Sequence, residues 1–536
     1  MMFIIIYILS TLFLLIFKSK RNLHMLQQNL YNENNRYLKW ISKNINQFFE
    51  IDLLILVLSL IGYLFLYDNS KLSNILLVIM VILVIGLSIS IRNRIINDQN
   101  KKPLVITSRV KRIICTNTIL YLIPLIILFV NFSNNRLIWL IIFIYTIMIY
   151  LNNIVVYIAT IINLPIEALI TMKYRNSAIN KMNNINGLKV IGITGSYGKT
   201  SSKNILNNIL NVKYNTFASP RNLNTPKGLM TTINNDMDKF TEIFIAEMGA
   251  YKRGEVKELC DFVHPKYGII TRIGTAHLET FGSQENIQKG KMELIESLPK
   301  DGFGVLNKDD PLQVSYKLNN NIKIIWIGID EKDVDVRATN IKCSDKGTSF
   351  DVIFKDDNNK YHFETKLLGK HNVYNILAGL ACGIEFNIPI KDLQDAIKGL
   401  KPVEHRLELK KLGNFYQIDD AYNSNPVGAK NALDVLDMMP GIKVVVTPGM
   451  IELGDKEYEL NQEFGRQISK VADYVVLVGE KQTKPIKKGL EEEKFDKDKI
   501  IVLNDVRKAY TFVMGLVDNK DVYALFENDL PDTYNE

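Results

Sequence analysis

Long apolar runs fill the first 165 residues of this 536-residue chain, whereas the rest has the mixed composition of a water-soluble protein. The runs cover residues 1–17, 51–67, 72–91, 113–132 and 137–164. Each run is close to the ~20 residues with which a helix crosses the hydrocarbon core of a bilayer. The last run is longer and has one polar interruption, at Asn152 and Asn153. We therefore predict an N-terminal α-helical transmembrane region of about five helices over residues 1–164, with the lipid bilayer as its partner.

Lysine and arginine are distributed unevenly among the segments between these runs. Segments 18–50 and 92–112 together carry thirteen of them, and the two opposite segments carry only Lys71 and Arg136. Because cytoplasmic loops of membrane proteins are enriched in basic residues, the two basic segments are predicted to face the cytoplasm. Five crossings then place the N-terminus outside and everything after about residue 165 inside. The sequence thus predicts a multi-pass protein of the cell membrane whose catalytic part is cytoplasmic.

Two features of the apolar region have competing interpretations. Run 1–17 lacks a basic start and an A-x-A cleavage site, which disfavours a secretory signal peptide. Asp52 lies at the edge of its run, so an interfacial position is favoured over the mid-membrane carboxylate of a transporter. The region therefore offers little for a proton or ion path.

Charge and cysteine content exclude other classes of protein. The net charge of +8 comes with no nucleic-acid recognition motif, and the basic residues near the N-terminus cluster between apolar runs. We therefore expect no nucleic-acid partner. The four cysteines form no C-x-x-C pair, which argues against a disulfide framework and against a structural zinc site.

A glycine-rich turn opens the soluble part. Residues 165–185 have the pattern of a connector helix, and residues 188–193 that of a buried strand. The turn Gly195-Ser196-Tyr197-Gly198 follows, and then a helix that begins near Lys199 and Thr200. A strand, a glycine-rich turn and a helix form the setting of a phosphate-binding loop, in which a lysine reaches the β- and γ-phosphates and a hydroxyl binds Mg²⁺. We therefore predict ATP binding here, although the spacing is shorter than in the common P-loop.

Later strands deliver acids and a histidine to the same edge of the predicted sheet. Glu247 follows one apolar strand and His277 follows another, and strand ends line the crevice of an open α/β sheet. Carboxylates there suit Mg²⁺ beside a nucleotide. Each residue alone is equally compatible with an ordinary loop position. Lys291 lies in a predicted helix from 285 to 296, where a solvated face is the simpler interpretation.

Seven motifs in a fixed order decide between these interpretations. They are Thr194–Thr200, Asn224-Thr225-Pro226, Glu247-Met248-Gly249, Ile273-Gly274-Thr275-Ala276-His277-Leu278-Glu279, Gly369-Lys370-His371-Asn372-Val373-Tyr374-Asn375, His405-Arg406-Leu407-Glu408 and Asp419-Asp420-Ala421-Tyr422-Asn423-Ser424-Asn425-Pro426. With them the sequence resembles the Mur ligase family, the ATP-dependent amide ligases of peptidoglycan precursor synthesis. The last motif and Glu452-Leu453-Gly454-Asp455 are most similar to members that add D-alanyl-D-alanine. The resemblance covers about residues 186–536.

The resemblance implies a role for each matching residue. Lys199 and Thr200 hold the phosphates and a first Mg²⁺, of which Glu247 is a second ligand. His277 is a ligand of a second Mg²⁺, and Lys291 matches a lysine that the family carbamylates to serve that ion. Asn372 and Asn375 match residues beside the adenine, and Asp420 matches the acid on the ribose. Arg406 matches the arginine that contacts the γ-phosphate. Catalysis would then depend on Lys199, His277, Lys291 and Arg406.

The resemblance also implies a fold and a reaction. A P-loop central domain is expected over 186–402 and a doubly wound C-terminal domain over 403–536. The reaction joins a peptidoglycan precursor or related carboxylate to an amino acid or dipeptide amine through an acyl phosphate. The same chemistry on another cell-envelope or polyglutamate acceptor stays open. Two other classes, an ATP-driven transporter and a non-catalytic scaffold, are disfavoured by the sparse intramembrane charge and by the complete set of matched residues.

Three departures from the family pattern bear on the substrate. Tyr197 stands where the family usually has asparagine. Residues 526–532 replace a Lys-Gly-Ser ending that is common among the D-alanyl-D-alanine adders. The apolar runs occupy the place of a soluble domain that grips a uridine nucleotide. The usual nucleotide-sugar substrate is therefore in question.

Overall fold

The computed structural model describes ten stretches of the chain. They are residues 2–44, 51–97, 103–131, 134–220, 223–344, 346–357, 359–421, 424–451, 453–517 and 520–529. Tyr422, Asn423, Glu452 and the segment 530–532, all named above, lie outside them. The chain forms two compact units, Met1–Met172 and Lys173–Glu536, each described here by itself.

The first unit is helical. Its helices are α1 (Met2–Gln28), α2 (Arg36–Lys43), α3 (Ile51–Ile61), α4 (Ser70–Asn97), α5 (Ser108–Val130), α6 (Asn135–Tyr150) and the first part of α7 (Asn152–Asn183), with a 3-10 turn at Leu30–Asn35 and a π-turn at Gly62–Leu66. Among the described residues, α1, α4, α5 and α7 are long and apolar enough to cross a membrane, and Asp52–Leu66 and Asn135–Tyr150 are shorter apolar helices. Run 137–164 is divided between α6 and α7 at Leu151, beside its polar interruption, and the number of crossings stays a prediction.

Side chains from other helices satisfy the backbone where the helix breaks. Leu151 has a φ of −92° and a ψ of 31°, outside the helical range, which releases nearby carbonyl groups. Tyr121 donates its hydroxyl to the carbonyl of Met148 at 2.7 Å, and Lys18 donates to that of Ile149 at 3.3 Å. Tyr37 donates to the carbonyl of Asn153 at 3.3 Å. Contacts from three other helices therefore stabilise the break.

Helices α6 and α7 run on in one direction across the break. Tyr7 on α1 bonds Thr146 of α6, and further along α1 Asn22 bonds Asn152, the first residue of α7. Helix α5 runs antiparallel to both α6 and α7, since its Tyr121 bonds Met148 of α6 and Thr116, earlier in α5, bonds Asn163 of α7. Lys18 of α1 forms an ion pair with Asp52 of α3, and both side chains are largely buried. The interfacial position of Asp52 stays a prediction.

The second unit contains two sheets, as the α/β prediction required. The first has nine strands in the order β2-β3-β1-β4-β5-β6-β7-β8-β9. Its strands are β1 (Lys189–Thr194), β2 (Thr216–Ala218), β3 (Ile243–Glu247), β4 (Tyr267–Ile270), β5 (Phe303–Asn307), β6 (Lys323–Gly328), β7 (Val336–Ser344), β8 (Gly347–Phe354) and β9 (Lys360–Thr365). Strands β1 to β7 pair in parallel, and β8 and β9 add antiparallel pairs.

Helices cover both faces of this sheet. They are α8 (Lys199–Leu210), α9 (Pro226–Asn235), α10 (Glu255–Val263), α11 (Leu278–Phe281), α12 (Gln284–Glu296), α13 (Pro311–Val314), α14 (Lys370–Glu385) and α15 (Ile390–Lys398). Alternate residues of a strand point to opposite faces. In β1, Ile191 and Ile193 pack with α8, α14 and α15, whereas Val190 packs with α9, α10 and α12. An apolar run such as that of β1 is what two covered faces require.

The second sheet has six strands in the order β10-β11-β15-β12-β13-β14. The strands are β10 (Glu408–Leu412), β11 (Phe415–Asp420), β12 (Ile442–Thr447), β13 (Tyr474–Val478), β14 (Ile500–Leu503) and β15 (Val522–Glu527). Only the edge strand β10 pairs antiparallel among these. The helices beside it are α16 (Pro426–Asp437), α17 (Glu457–Ser469), α18 (Lys484–Glu492) and α19 (Val506–Gly515), with 3-10 turns at Gly454–Lys456 and Lys497–Lys499. The domain boundary at residue 402 stays a prediction.

Candidate active site

The turn between β1 and α8 has the backbone of an anion-binding loop. Gly195 has a φ of +149° and Gly198 a φ of +81°, conformations that favour glycine. A Cβ on Gly195 would lie only 1.9 Å from the hydroxyl oxygen of Thr271, so no larger residue fits there. Gly198 caps α8 without a side chain, which leaves the first N–H groups of the helix available to an anion.

Lys199 folds back over this loop. Its ammonium donates to the carbonyl oxygens of Gly195 at 2.8 Å and of Ser196 at 3.3 Å. Burial lowers the pKa of Lys199, Glu247 opposes that shift, and Arg406 adds to it. Three residues from separate predicted motifs thus act on one another electrostatically.

Thr200 and Glu247, the two predicted ligands of the first Mg²⁺, lie in contact. The Thr200 hydroxyl is 3.2 Å from Oε1 and 3.1 Å from Oε2 of Glu247, and Asn224 donates to Oε1 at 3.0 Å. Burial raises the pKa of Glu247, but Lys203, Lys199 and the Asn224 amide outweigh it and hold that pKa below its usual range. The site therefore presents an ionised carboxylate beside a hydroxyl.

Lys203 is a member of this site that sequence reasoning missed. Its ammonium lies 2.9 Å from Oε2 of Glu247, and both side chains are only 2% exposed. The one signal in the sequence is its spacing, four residues after Lys199 on the same face of α8.

Lys291 is buried, so the interpretation as a solvated helix residue is wrong. It is 1% exposed on α12, donates to the carbonyl of Ala250 at 3.2 Å and lies 5.3 Å from the centre of the Phe281 ring. Burial lowers its pKa well below the ordinary value, Lys199 lowers it further, and Glu255 and Glu293 act in the opposite direction. This environment favours a neutral amine.

His277 converges on the same short segment as Lys291. It has a φ of +61° at the start of α11, and its ring lies 4.5 Å from that of Tyr251. Tyr251 directly follows Ala250, the residue that Lys291 contacts. The two residues predicted to serve the second metal thus approach one dipeptide after β3.

The donors near Glu247 fit Mg²⁺. A hydroxyl and a carboxylate are hard oxygen ligands, and Mg²⁺ usually takes one or two such groups together with phosphate oxygens and water. In the described part of the chain no three His, Cys, Asp or Glu side chains form a dedicated metal cluster. An ion at this place would therefore take most of its ligands from a bound nucleotide.

The two predicted adenine residues contact the phosphate-loop helix. Ser202 of α8 donates to Oδ1 of Asn375 at 2.8 Å, and Asn375 donates to Oδ1 of Asn372 at 3.3 Å. A Cβ on Gly198 would lie 3.0 Å from Asn375 Oδ1. Both asparagines are buried at the start of α14.

Arg406 lies just before β10 and Asp420 at the end of β11, and these are neighbouring strands of the second sheet. The backbone N–H of Leu407 donates to Asp420 at 3.3 Å, and the Arg406 charge acts on both Asp420 and Lys199. Beside Asp420 lies Glu527, which was predicted only as part of an unusual C-terminal segment. Its buried carboxylate has one oxygen, Oε2, without a hydrogen-bond partner among the described residues.

The chain is similar to proteins of known families. Residues 193–383 match the model of the Mur ligase middle domain, and residues 405–526 match that of the Mur ligase glutamate ligase domain. The UDP-N-acetylmuramoyl-tripeptide–D-alanyl-D-alanine ligase of Bacillus subtilis is 35% identical over 287 residues, which cover 53% of this chain and 61% of that protein. The chain thus spans about three-fifths of the length of this curated relative.

Two solved structures have a similar fold. MurF from Acinetobacter baumannii superposes with a TM-score of 0.61 at 25% identity, covering 67% of this chain and 77% of that one. The MurF ligase from Thermotoga maritima in complex with ADP gives a TM-score of 0.59 at 28% identity, covering 67% and 80%.

Proposed function

The chain belongs to the Mur ligase family, and we propose on that premise that it is an ATP-dependent ligase that joins a carboxylate to an amine. The observation that carries the proposal is the grouping of Lys199, Thr200 and Glu247 around one glycine-rich turn. Thr200 contacts Glu247, and the charges of Lys199 and Glu247 act on each other. A cation, a hydroxyl and a carboxylate at the start of a helix are suited to a nucleotide triphosphate and its metal.

The reaction would proceed in two steps. A carboxylate oxygen of the acceptor attacks the γ-phosphorus of ATP, the bond to the β–γ bridging oxygen breaks, and ADP leaves. The amine nitrogen then attacks the acyl carbon, the tetrahedral intermediate expels phosphate, and the nitrogen loses a proton. Bound Mg²⁺ would neutralise charge on the transferred phosphoryl group. Lys199 and Arg406 would both neutralise charge on the phosphates, since the Arg406 charge acts on Lys199.

We propose a peptidoglycan precursor peptide as the carboxylate and D-alanyl-D-alanine, or a similar amine, as its partner. The support is the likeness to ligases named for that reaction. The same chemistry on another cell-envelope or polyglutamate acceptor is the alternative.

A second Mg²⁺ site is proposed at His277 and Lys291. A neutral lysine amine adds CO₂ and loses a proton to become a carbamate, whose oxygens are ligands that Mg²⁺ accepts. The buried position and lowered pKa of Lys291 support this step. The ion would then be bound by carbamate oxygen atoms on Lys291 and by a ring nitrogen of His277.

The first unit is proposed to anchor the ligase in the cell membrane as a multi-pass region, with the catalytic unit in the cytoplasm. Four long apolar helices and two shorter ones support the anchor. The excess of lysine and arginine in segments 18–50 and 92–112 supports the orientation.

The test is ADP release by the full chain, purified in detergent, with a panel of carboxylate and amine pairs. ADP release that requires both members of a pair is expected, with a muramyl tripeptide and D-alanyl-D-alanine as the best pair. Lys199→Ala should lower turnover by at least ~100-fold, the cost of losing one main charge against the transition state. Lys266→Ala is the matched control, because that lysine pairs with Asp301 at the surface. Near-parental turnover of Lys199→Ala would contradict the proposal.

A further inference from the structure

The ring of Tyr197, in the phosphate loop, lies in contact with Gly274. A Cβ built on Gly274 would lie 2.3 Å from Cε2 and 2.9 Å from Cζ of the tyrosine ring. Such distances are far below a van der Waals contact, so the ring occupies the space that any side chain at 274 would need. Glycine at 274 and the aromatic ring at 197 are therefore matched in shape.

The tyrosine hydroxyl binds the next residue along. It accepts a hydrogen bond from the backbone N–H of Thr275 at 3.0 Å and lies 3.2 Å from the Thr275 hydroxyl. The backbone joins the same two segments, since the N–H groups of Ser196 and Tyr197 both donate to the carbonyl of Arg272. Ser196 Oγ also accepts from the N–H of Gly274 at 3.0 Å.

The two joined segments carry different parts of the proposed site. Tyr197 is two residues before Lys199, and Thr275 is two residues before His277. The side chain of Tyr197 thus connects the backbone that positions the phosphate-binding lysine to the backbone that positions the histidine. Asparagine, the residue that the Mur ligase family usually has at this position, has no ring and cannot fill the space beside Gly274.

We infer that Tyr197 is a positioning residue that couples occupancy of the phosphate loop to the placement of the loop bearing His277. This inference rests on the proposed function, because it needs a nucleotide in the phosphate loop. Without the tyrosine hydroxyl, the N–H groups of Ser196 and Tyr197 still donate to the carbonyl of Arg272, and Ser196 Oγ still accepts from Gly274. The bond to the N–H of Thr275, the one nearest His277, is lost.

Hydrogen–deuterium exchange of the full chain in detergent, with and without ADP, tests the coupling apart from turnover. In the parent protein, ADP should slow exchange both in segment 195–203 and in segment 272–281. In Tyr197→Phe, ADP should still protect 195–203, whereas 272–281 should stay unprotected and the Thr275 amide should exchange about 5-fold faster, as expected for the loss of a bond of ~1 kcal/mol. Tyr316→Phe, which removes a tyrosine hydroxyl bonded to Glu296, is the matched control.

Equal ADP protection of 272–281 in the parent and in Tyr197→Phe would overturn the inference. Gly274→Ala gives a second route to the same result, since its methyl group must displace the ring. With both variants, the Mg²⁺ concentration for half-maximal ADP release should rise several-fold while the ATP concentration for half-maximal rate changes little. Failure of the parent to bind ADP at all would instead contradict the proposed function.

Discussion

Asp420 and Glu527 stand side by side as paired residues at the ends of the parallel strands β11 and β15. Both are buried, and two ionised carboxylates cannot donate a hydrogen bond to each other. Burial raises the pKa of Asp420 to about 6, although Arg406 opposes the shift. Burial raises the pKa of Glu527 well above its ordinary value, and the Asp420 charge raises it further. A proton is therefore retained by the pair at pH values where an exposed carboxyl has lost it.

Glu527→Gln should stabilise the protein at alkaline pH. With raised pKa values in the folded state, the native protein binds more protons than the unfolded chain above about pH 4, so its stability falls as the pH rises. Glutamine supplies a permanent N–H to Asp420, and its oxygen can still accept from Ser424, which now donates to Glu527 at 2.6 Å. We expect a gain on the order of 2 kcal/mol at pH 8 that disappears toward pH 4.

Melting temperatures of the two proteins from pH 4 to 8 check this expectation. Glu491→Gln, on an exposed face of α18, is the matched control and should leave the pH profile unchanged. Parallel profiles for the parent and Glu527→Gln would show that the pair does not hold a proton.

Lys203→Met should strongly destabilise the catalytic unit. Removing one member of a fully buried ion pair leaves the other charge uncompensated, which costs ~3–5 kcal/mol. Lys203 and Glu247 form such a pair. By contrast, Lys257→Met removes a pair with Asp261 whose side chains are 61% and 57% exposed, and it should cost less than ~1 kcal/mol.

Chemical denaturation of the two lysine variants gives the comparison. The double variant Lys203→Met with Glu247→Gln should recover part of the lost stability, because it removes the unpaired charge. A similar small loss for both single variants would mean that Lys199 and Asn224 compensate the Glu247 charge without Lys203.

Local pattern revealed the strands and the phosphate loop, because buried runs and glycine-rich turns are properties of neighbouring residues. The strand at 188–193 and the helix after it were predicted within a few residues of β1 and α8. Glu247 was expected beside the nucleotide because strand ends line one crevice, and the resemblance made it a ligand of the same Mg²⁺ as Thr200. The resemblance to a family supplied the remaining residues, including Lys291, whose burial no local pattern indicates.

Contacts between residues that are far apart in the sequence could not be predicted. Glu527 meets Asp420 across 107 positions, and Tyr197 meets Gly274 across 77, so neither contact leaves a periodic signal. Lys203 has the appearance of a solvated lysine because a helical pattern does not say which face a second helix and sheet will cover. The break at Leu151 was marked only by Asn152 and Asn153.

Lys291→Ala should be nearly inactive and should regain some activity with acetate. If a carbamate on Lys291 serves the second Mg²⁺, alanine removes its oxygens, and a small carboxylate can enter the vacated place. We expect a loss of at least ~100-fold, at the upper end of what loss of a group that supports a metal ligand costs. Lys289→Ala on the same helix is the control, since that lysine is exposed and pairs with Glu285.

ADP release at saturating Mg²⁺ and ATP, with and without acetate, is the measurement. Parental activity of Lys291→Ala would end the carbamate hypothesis and leave its burial as a packing feature. Inactivity without any response to acetate would place the amine itself, rather than a carboxylate, at the site.

The two ends of the chain should lie on opposite sides of the membrane. The bend at Leu151 enters this count, because α6 and α7 both run antiparallel to α5 and are therefore expected to make a single crossing between them. With the helices at α1, Asp52–Leu66, α4 and α5, the total is five, which is odd. The lysine and arginine excess then places the N-terminus outside and the catalytic unit inside. A tag at the N-terminus should therefore be cut by external protease on intact cells, and a tag after Glu536 should be protected until the cells are opened. Protection of both tags would mean an even number of crossings, as expected if α6 and α7 each crossed the bilayer.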